Sequence, residues 1–227
     1  MKIHVFSTGF MAATKELCLA SVARQRCLAE VEHIYVEASQ QSPLMGPMAN
    51  LWYFLRREDP RTIVALLDGD DELARDDALQ IVAEAYRDPD VWMTYGSLVS
   101  TDGTKLTPDY RTAVPDVGDV RGPECVSHLK TFYAGLAQHL DPAQDLRRPD
   151  GTWRDVFRDG ALMYPLLELA GPKHRRFIPE VLVVYHDEAS EARRASTEEK
   201  RGWDREIDEV RALPRKQPLS TLFGAAS

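Results

Sequence analysis

The segment 62–67 is a continuous apolar run, and it ends on four residues of the opposite character, Asp68-Gly69-Asp70-Asp71. A short run with no polar face is the pattern of a strand covered on both sides, which calls for helices over both faces of a sheet. The preceding residues supply them. Residues 3–6 read as an apolar strand closing on Ser7-Thr8-Gly9, and 15–24 carry Leu17, Leu19, Ser21 and Val22 in a helix-like pattern. A second strand over 33–36 runs into Glu37, and 49–57 reads as a helix that stops before Asp59-Pro60. Strand, helix, strand, helix, strand is the order of a parallel sheet with helical crossovers. Such sheets bind ligands beyond the carboxyl ends of their strands. Three of those ends carry polar groups here: Ser7 and Thr8, then Glu37, then Asp68.

The α/β pattern continues downstream. Ala78, Ile81, Val82, Ala85 and Tyr86 mark one face of an amphipathic helix ended by Asp88-Pro89, and 91–100 is strand-like. Residues 107–124, rich in Pro, Gly and Asp, predict an irregular loop. Leu129, Phe132, Tyr133, Leu136 and Leu140 fall at helical spacing, which predicts a helix opened by His128. A polar loop over 141–153 precedes a helix beginning at Asp159, and 177–185 returns to strand. The charged stretch 187–211, with Trp203, Ile207 and Val210 as a sparse apolar stripe, predicts an appended helix with a solvated face. Residues 214–227 read as a loosely held tail.

Composition narrows the function classes. With 227 residues, 44% hydrophobic and 28% charged, the chain has the make-up of an ordinary globular protein with a sizeable core. A net charge of −8 repels a phosphate backbone, which argues against general nucleic-acid binding and leaves room only for a locally basic cleft. The N-terminus reads as a strand rather than a leader, and no apolar run approaches the roughly 20 residues that span a bilayer. Cys18, Cys27 and Cys125 are odd in number, scattered and without metal-ligand spacing, as expected of reduced thiols in a cytoplasm.

The chemistry is concentrated after the third strand. Asp68, Asp70 and Asp71 form an oxygen-rich cluster suited to Mg2+ or Mn2+. Such an ion can bridge to a diphosphate and neutralise its charge. Gly69 keeps side-chain bulk away and lets the backbone approach a ligand. Read alone, acidic residues after a strand also cap helices or mark solvated turns.

The run Gly46-Pro47-Met48-Ala49-Asn50, followed by the strand and its Asp68-Gly69-Asp70-Asp71-Glu72-Leu73, resembles the nucleotide-sugar-binding half of a family 2 glycosyltransferase with the GT-A fold. Downstream, Arg158-Asp159-Gly160-Ala161-Leu162 is similar to the segment that supplies that family's catalytic base. Val181-Leu182-Val183-Val184-Tyr185-His186 is similar to the closing strand after it. The resemblance implies a mostly parallel central sheet flanked by helices in one domain over 1–187. Residues 1–100 would bind the nucleotide sugar, 101–187 the acceptor and the base, and 188–227 would form a charged helical extension.

It further implies an inverting, metal-dependent hexosyltransferase-type enzyme using a nucleotide-diphosphate sugar. UDP is the preferred nucleotide, GDP or dTDP the alternatives, and the acceptor is unassigned. Asp70, then Asp71, would hold Mn2+ or Mg2+, with His186 as a further metal or phosphate ligand. Ser7, Thr8, Glu37, Asn50, Asp68 and Gly69 would line the nucleotide-sugar site, and Asp159 would be the general base. Trp52, Trp92 and Trp153 are core candidates, although Trp153, in a polar loop ahead of Asp159, is also a candidate for stacking on a sugar. Met48 stands where that family often has a basic residue, and the Gln-x-x-Arg-Trp of its processive members is absent. A nucleotidyltransferase-like enzyme and a non-catalytic nucleotide-sugar-binding domain are the alternatives.

Overall fold

A computed structural model describes residues 1–9, 12–37, 46–104, 120–121, 127–186 and 197–223. Among these, seven strands form one sheet: β1 (Lys2–Gly9), β2 (Glu30–Glu37), β3 (Ile63–Leu66), β4 (Glu72–Leu73), β5 (Met93–Ser100), β6 (Lys130–Tyr133) and β7 (Arg175–Tyr185), in the order β2-β1-β3-β6-β5-β7-β4. β2, β1 and β3 are parallel, as are β5 and β7. β6 runs antiparallel to both of its neighbours, and β4 antiparallel to β7. The helices are α1 (Ala12–Ala23), α2 (Pro47–Leu55), α3 (Ala78–Ala85), α4 (Ala134–Ala137), α5 (Arg158–Ala170) and α6 (Thr197–Ala212).

The period-2 geometry of a strand sorts the core into two layers. Phe6, Val64 and Phe132 face Met48, Leu51 and Leu55 of α2 and Leu162 and Leu166 of α5. Ile3, Val5, Ile63 and Ala65 face Cys18 and Val22 of α1 and Leu79 and Val82 of α3. The apolar strand of 62–67 is thus covered on both sides, and Ile63, Val64 and Ala65 are fully buried.

The helix expected over 129–140 is not there. Residues 130–133 form the central strand β6, and only 134–137 turn into a helix. Leu129 and Phe132 belong to opposite layers of the core, so their helical spacing was coincidental. Pairing on both edges, with β3 and β5, overrides the local pattern. The irregular loop expected over 107–124 lies outside the described residues except for Val120 and Arg121, both buried.

The C-terminal region is also more firmly held than expected. Within α6, Val210 is buried in the core and Ile207 packs against it, while Glu206 accepts the Phe157 backbone N–H at 3.1 Å and pairs with Arg148. The tail expected to be loose is docked over 213–223. Leu219 N–H donates to Leu169 O at 2.8 Å, Leu222 is buried, and Phe223 meets Tyr133 edge-on under the Arg61 guanidinium. Arg121 fastens this region. Its guanidinium forks onto Glu168 at 2.7 and 2.8 Å and donates to the carbonyls of Val210, Arg211, Leu213 and Pro214.

Candidate functional site

β1 and β3 are parallel neighbours, so Thr8 and Asp68 emerge at the same edge of the sheet. β6 is antiparallel to β3 with Lys130 opposite Leu66, so the start of β6 arrives at that edge too. The N-terminal turn of α5 brings Arg158 and Asp159 over it. Between them lies a cleft of about 420 Å3, its mouth included, with a floor formed by Phe6, Met48, Leu51 and Leu162. Its polar lining is Thr8, Asp68, His128, Lys130, Arg158 and Asp159.

Close contact between two glycines shapes the near wall. Gly69 N–H donates to Thr8 O at 2.9 Å, and a Cβ on Gly69 would stand 2.8 Å from the Gly9 Cα and N. Gly69 is therefore required by the β1 backbone itself. Asp68 precedes that glycine, its Oδ2 3.3 Å from His128 Nε2 and its Oδ1 3.5 Å from Arg158 Nη2. Burial on its own would raise the Asp68 carboxyl. The His128 hydrogen bond and the charges of His128, Arg158 and Lys130 outweigh that and hold it well below the usual carboxylate range.

Asp71 has the opposite environment. It is completely buried; one oxygen accepts the His186 backbone N–H at 3.0 Å, and the other is buried with no hydrogen-bond partner. Burial and then the charge of Asp68 push it well above the ordinary carboxylate range. Asp68, Asp71 and His128 each present a ligand atom within 4.8 Å of the others. An oxygen, oxygen and imidazole set around an orphaned buried carboxylate fits a divalent cation, which would take the place of a proton on Asp71.

Across the cleft, Asp159 is half-exposed, with its Oδ2 2.5 Å from the buried Lys130 ammonium. Lys130 also contacts His128 Nε2 at 3.1 Å. Desolvation raises Asp159, but the Lys130 charge prevails and holds it below its ordinary value.

The other residues singled out by sequence are distributed around this cleft. Ser7 sits on the opposite face of β1 from Thr8, fully buried, bonded to His33 Nε2 at 3.0 Å and to the Cys18 thiol. Glu37 ends β2 at the surface, paired with Lys15. Asn50 is on α2, whose Met48 and Leu51 line the cleft. Among the described residues, Asp70 and His186 are not part of the Asp68–Asp71–His128 group, and the His186 ring lies 3.5 Å from Glu72 Oε1. Trp153 is buried, packed against Tyr53 and under the Arg147 guanidinium, so it is a core residue and not a platform for a sugar.

No family model matches this sequence, and no curated protein does. Solved structures do match. TarS 1–349 of S. aureus superposes with a TM-score of 0.53 at 12% identity, over 92% of this chain and 70% of that one. A longer TarS chain is spanned over 41% of its length. Glucosyl-3-phosphoglycerate synthase from Mycobacterium tuberculosis, in complex with Mg2+ and UDP, gives 0.58 at 14% identity, over 94% and 80% of the two chains. Mannosyl-3-phosphoglycerate synthase from Rubrobacter xylanophilus gives 0.59 at 10%, over 93% and 73%. The chain has the GT-A fold.

In this GT-A fold the cleft is also lined by Lys130 and Arg158, which the sequence does not single out, and by His128, which the sequence offers as a helix start or an acceptor-side residue. The helical spacing of 129–140 hides the relation of His128 to Lys130, because residues two apart on a helix do not share a face. The signal that locates them is alternation: His128, Lys130 and Phe132 point to one side of β6, Leu129 and Thr131 to the other. Arg158 was visible only as the neighbour of Asp159.

Proposed function

We propose that this protein is an inverting, metal-dependent glycosyltransferase that moves a sugar from a nucleotide diphosphate, UDP by preference, to a hydroxyl acceptor. One observation carries the reading: Asp68 and His128, which group with the buried Asp71 and its orphaned oxygen, share one cleft with Asp159 at the carboxyl edge of a GT-A sheet. Similar structures have been solved with UDP and Mg2+ or Mn2+, and with UDP-GlcNAc. Residues 1–187 would form the catalytic domain and 188–227 its extension.

Asp68, Asp71 and His128 would hold the cation, and Asp70 lies on the turn between the two aspartates. When bound, the ion would offset the negative charge that builds on the departing diphosphate. Thr8 and Asp68 would face the nucleotide from the near wall. Asp159 would accept the acceptor's hydroxyl proton while that oxygen bonds to the anomeric carbon. The carbon's bond to the diphosphate breaks on the opposite side, its electron pair leaving with the nucleotide, so the anomeric configuration inverts. Residue 159 must first be loosened from Lys130, because a carboxylate paired with an ammonium is a weak base.

The same ion pair favours a second reading, a non-catalytic nucleotide-sugar-binding domain. Titration calorimetry with UDP, GDP and dTDP, each with Mn2+ or EDTA, tests the donor site. Binding of one nucleotide that needs Mn2+ and is lost in Asp71→Asn or His128→Ala is the expected outcome. A folded protein that binds none of the three refutes the proposal. Slow hydrolysis of the matching nucleotide sugar, abolished by Asp159→Asn, separates the enzyme from the binding domain.

A further inference from the structure

Among the described residues, three cationic or potentially cationic side chains line the cleft, and their commitments differ. Lys130 is 1% exposed and in close contact with Asp159 and His128, so its ammonium is fully engaged. His128 is tied to Asp68. Arg158 is different. Its side chain is 29% exposed, and its guanidinium makes two long single contacts, 3.5 Å to Asp68 Oδ1 and 3.3 Å to Thr8 Oγ1. Arg121 shows what an arginine with a purely structural role looks like in the same molecule: 2% exposed, forked onto Glu168 at 2.7 and 2.8 Å, and donating to four carbonyls.

The two groups that Arg158 touches belong to the ends of β1 and β3, the near wall proposed for the nucleotide. The wall contributed by α2 is Pro47, Met48 and Leu51, none of which can meet a phosphate. A planar guanidinium matches phosphate oxygens two at a time, whereas its contacts to Thr8 and Asp68 use one donor each.

We infer that Arg158 grips the donor's diphosphate. On donor binding its guanidinium exchanges Thr8 and Asp68 for two phosphate oxygens, supplying the positive charge that Met48 does not. Because Arg158 and Asp159 are consecutive at the start of α5, the same helical turn then sets the leaving group and the base at a fixed separation. This rests on the glycosyltransferase reading and names the residue that carries its donor affinity.

The test compares a nucleoside diphosphate with its own nucleoside, whichever of UDP, GDP or dTDP the wild-type protein binds in Mn2+. Calorimetry reads the diphosphate, and ligand-observed NMR reads the weaker nucleoside. Arg158→Ala is expected to weaken the diphosphate about tenfold, the loss of one bidentate charge-assisted contact, and to leave the nucleoside unchanged. Arg158→Lys, which keeps the charge without the fork, falls between. Thermal midpoints check folding, and if Arg158→Ala lowers its midpoint, Arg158→Gln carries the same comparison. An equal loss for diphosphate and nucleoside, or no loss, overturns the role of Arg158 while leaving the donor site standing. If the wild-type protein binds no diphosphate, the donor-site reading falls first and this inference with it.

Discussion

At the level of single residues, the cleft depends on the absence of side chains as much as on their presence. Gly69 has no room for a Cβ against the Gly9 backbone, and the obstructing atoms are main chain, which cannot rotate away. Gly69→Ala should therefore push the Asp68–Asp71 turn off β1, costing about 1–3 kcal/mol of stability, typical of overpacking. Urea unfolding reads that loss, and nucleotide calorimetry should show weaker binding in the variant. Unchanged stability would mean that the two strand ends are not in contact. Lys130 poses the complementary question. A buried ammonium is costly unless paired, and its partner Asp159 is the residue on which base catalysis would depend. Lys130→Arg should retain the pairing and Lys130→Met should lose it. Nucleotide-sugar hydrolysis by the two variants at matched stability measures what the pair does for turnover, apart from what it does for folding.

At the level of elements, β2 is fastened to β1 by more than its ladder. His33 reaches Ser7 across the pair, and burial pushes its imidazole down from the ordinary 6.5 to about 4. The folded protein then keeps His33 neutral in the window where the unfolded chain protonates it. Stability from this residue is complete above about pH 6.5 and is lost as pH falls toward 4. Urea midpoints at about pH 7.5 and about pH 5 should drop more in the wild type than in His33→Gln. Equal drops would show that the ring does not resist protonation. These strands also show which parts of the fold are legible in sequence. β1 and β3 announce themselves as apolar runs with polar ends, because strands covered on both faces tolerate nothing else. β6 hides because Lys130 and Thr131 interrupt any apolar run, so that its strand character comes from pairing with β3 and β5. The cleft inherits that asymmetry: the carboxylates on the strand ends can be read from the chain, whereas His128 and Lys130 meet them only once an antiparallel strand has been inserted.

At the level of the whole molecule, the C-terminal region acts as a clasp. The buried carboxylate of Glu168 holds Arg121, Arg215 and the Lys216 backbone N–H, and Lys216 reaches on to Asp145. Arg121→Met leaves that cluster short of a charge in a buried setting and should cost about 3–5 kcal/mol. Arg121→Lys should recover little of it, because a single ammonium cannot serve one carboxylate fork and several carbonyls together. Thermal unfolding of the two variants decides the point, and a lysine variant as stable as the wild type would reduce the clasp to simple charge. No described helix is long and apolar enough to cross a membrane.

The grip of Arg121 also has an order in time. The arginine lies in the connection from β5 to β6, yet four of its acceptors are main-chain carbonyls between Val210 and Pro214, some ninety positions further along. During synthesis those carbonyls leave the ribosome only after every strand of the sheet has been made. The contacts of Arg121 with those carbonyls must therefore wait for the last helix. A nascent chain arrested before residue 210 would hold every strand of the sheet and the helix that bears Asp159, while Arg121 still lacked these four main-chain acceptors.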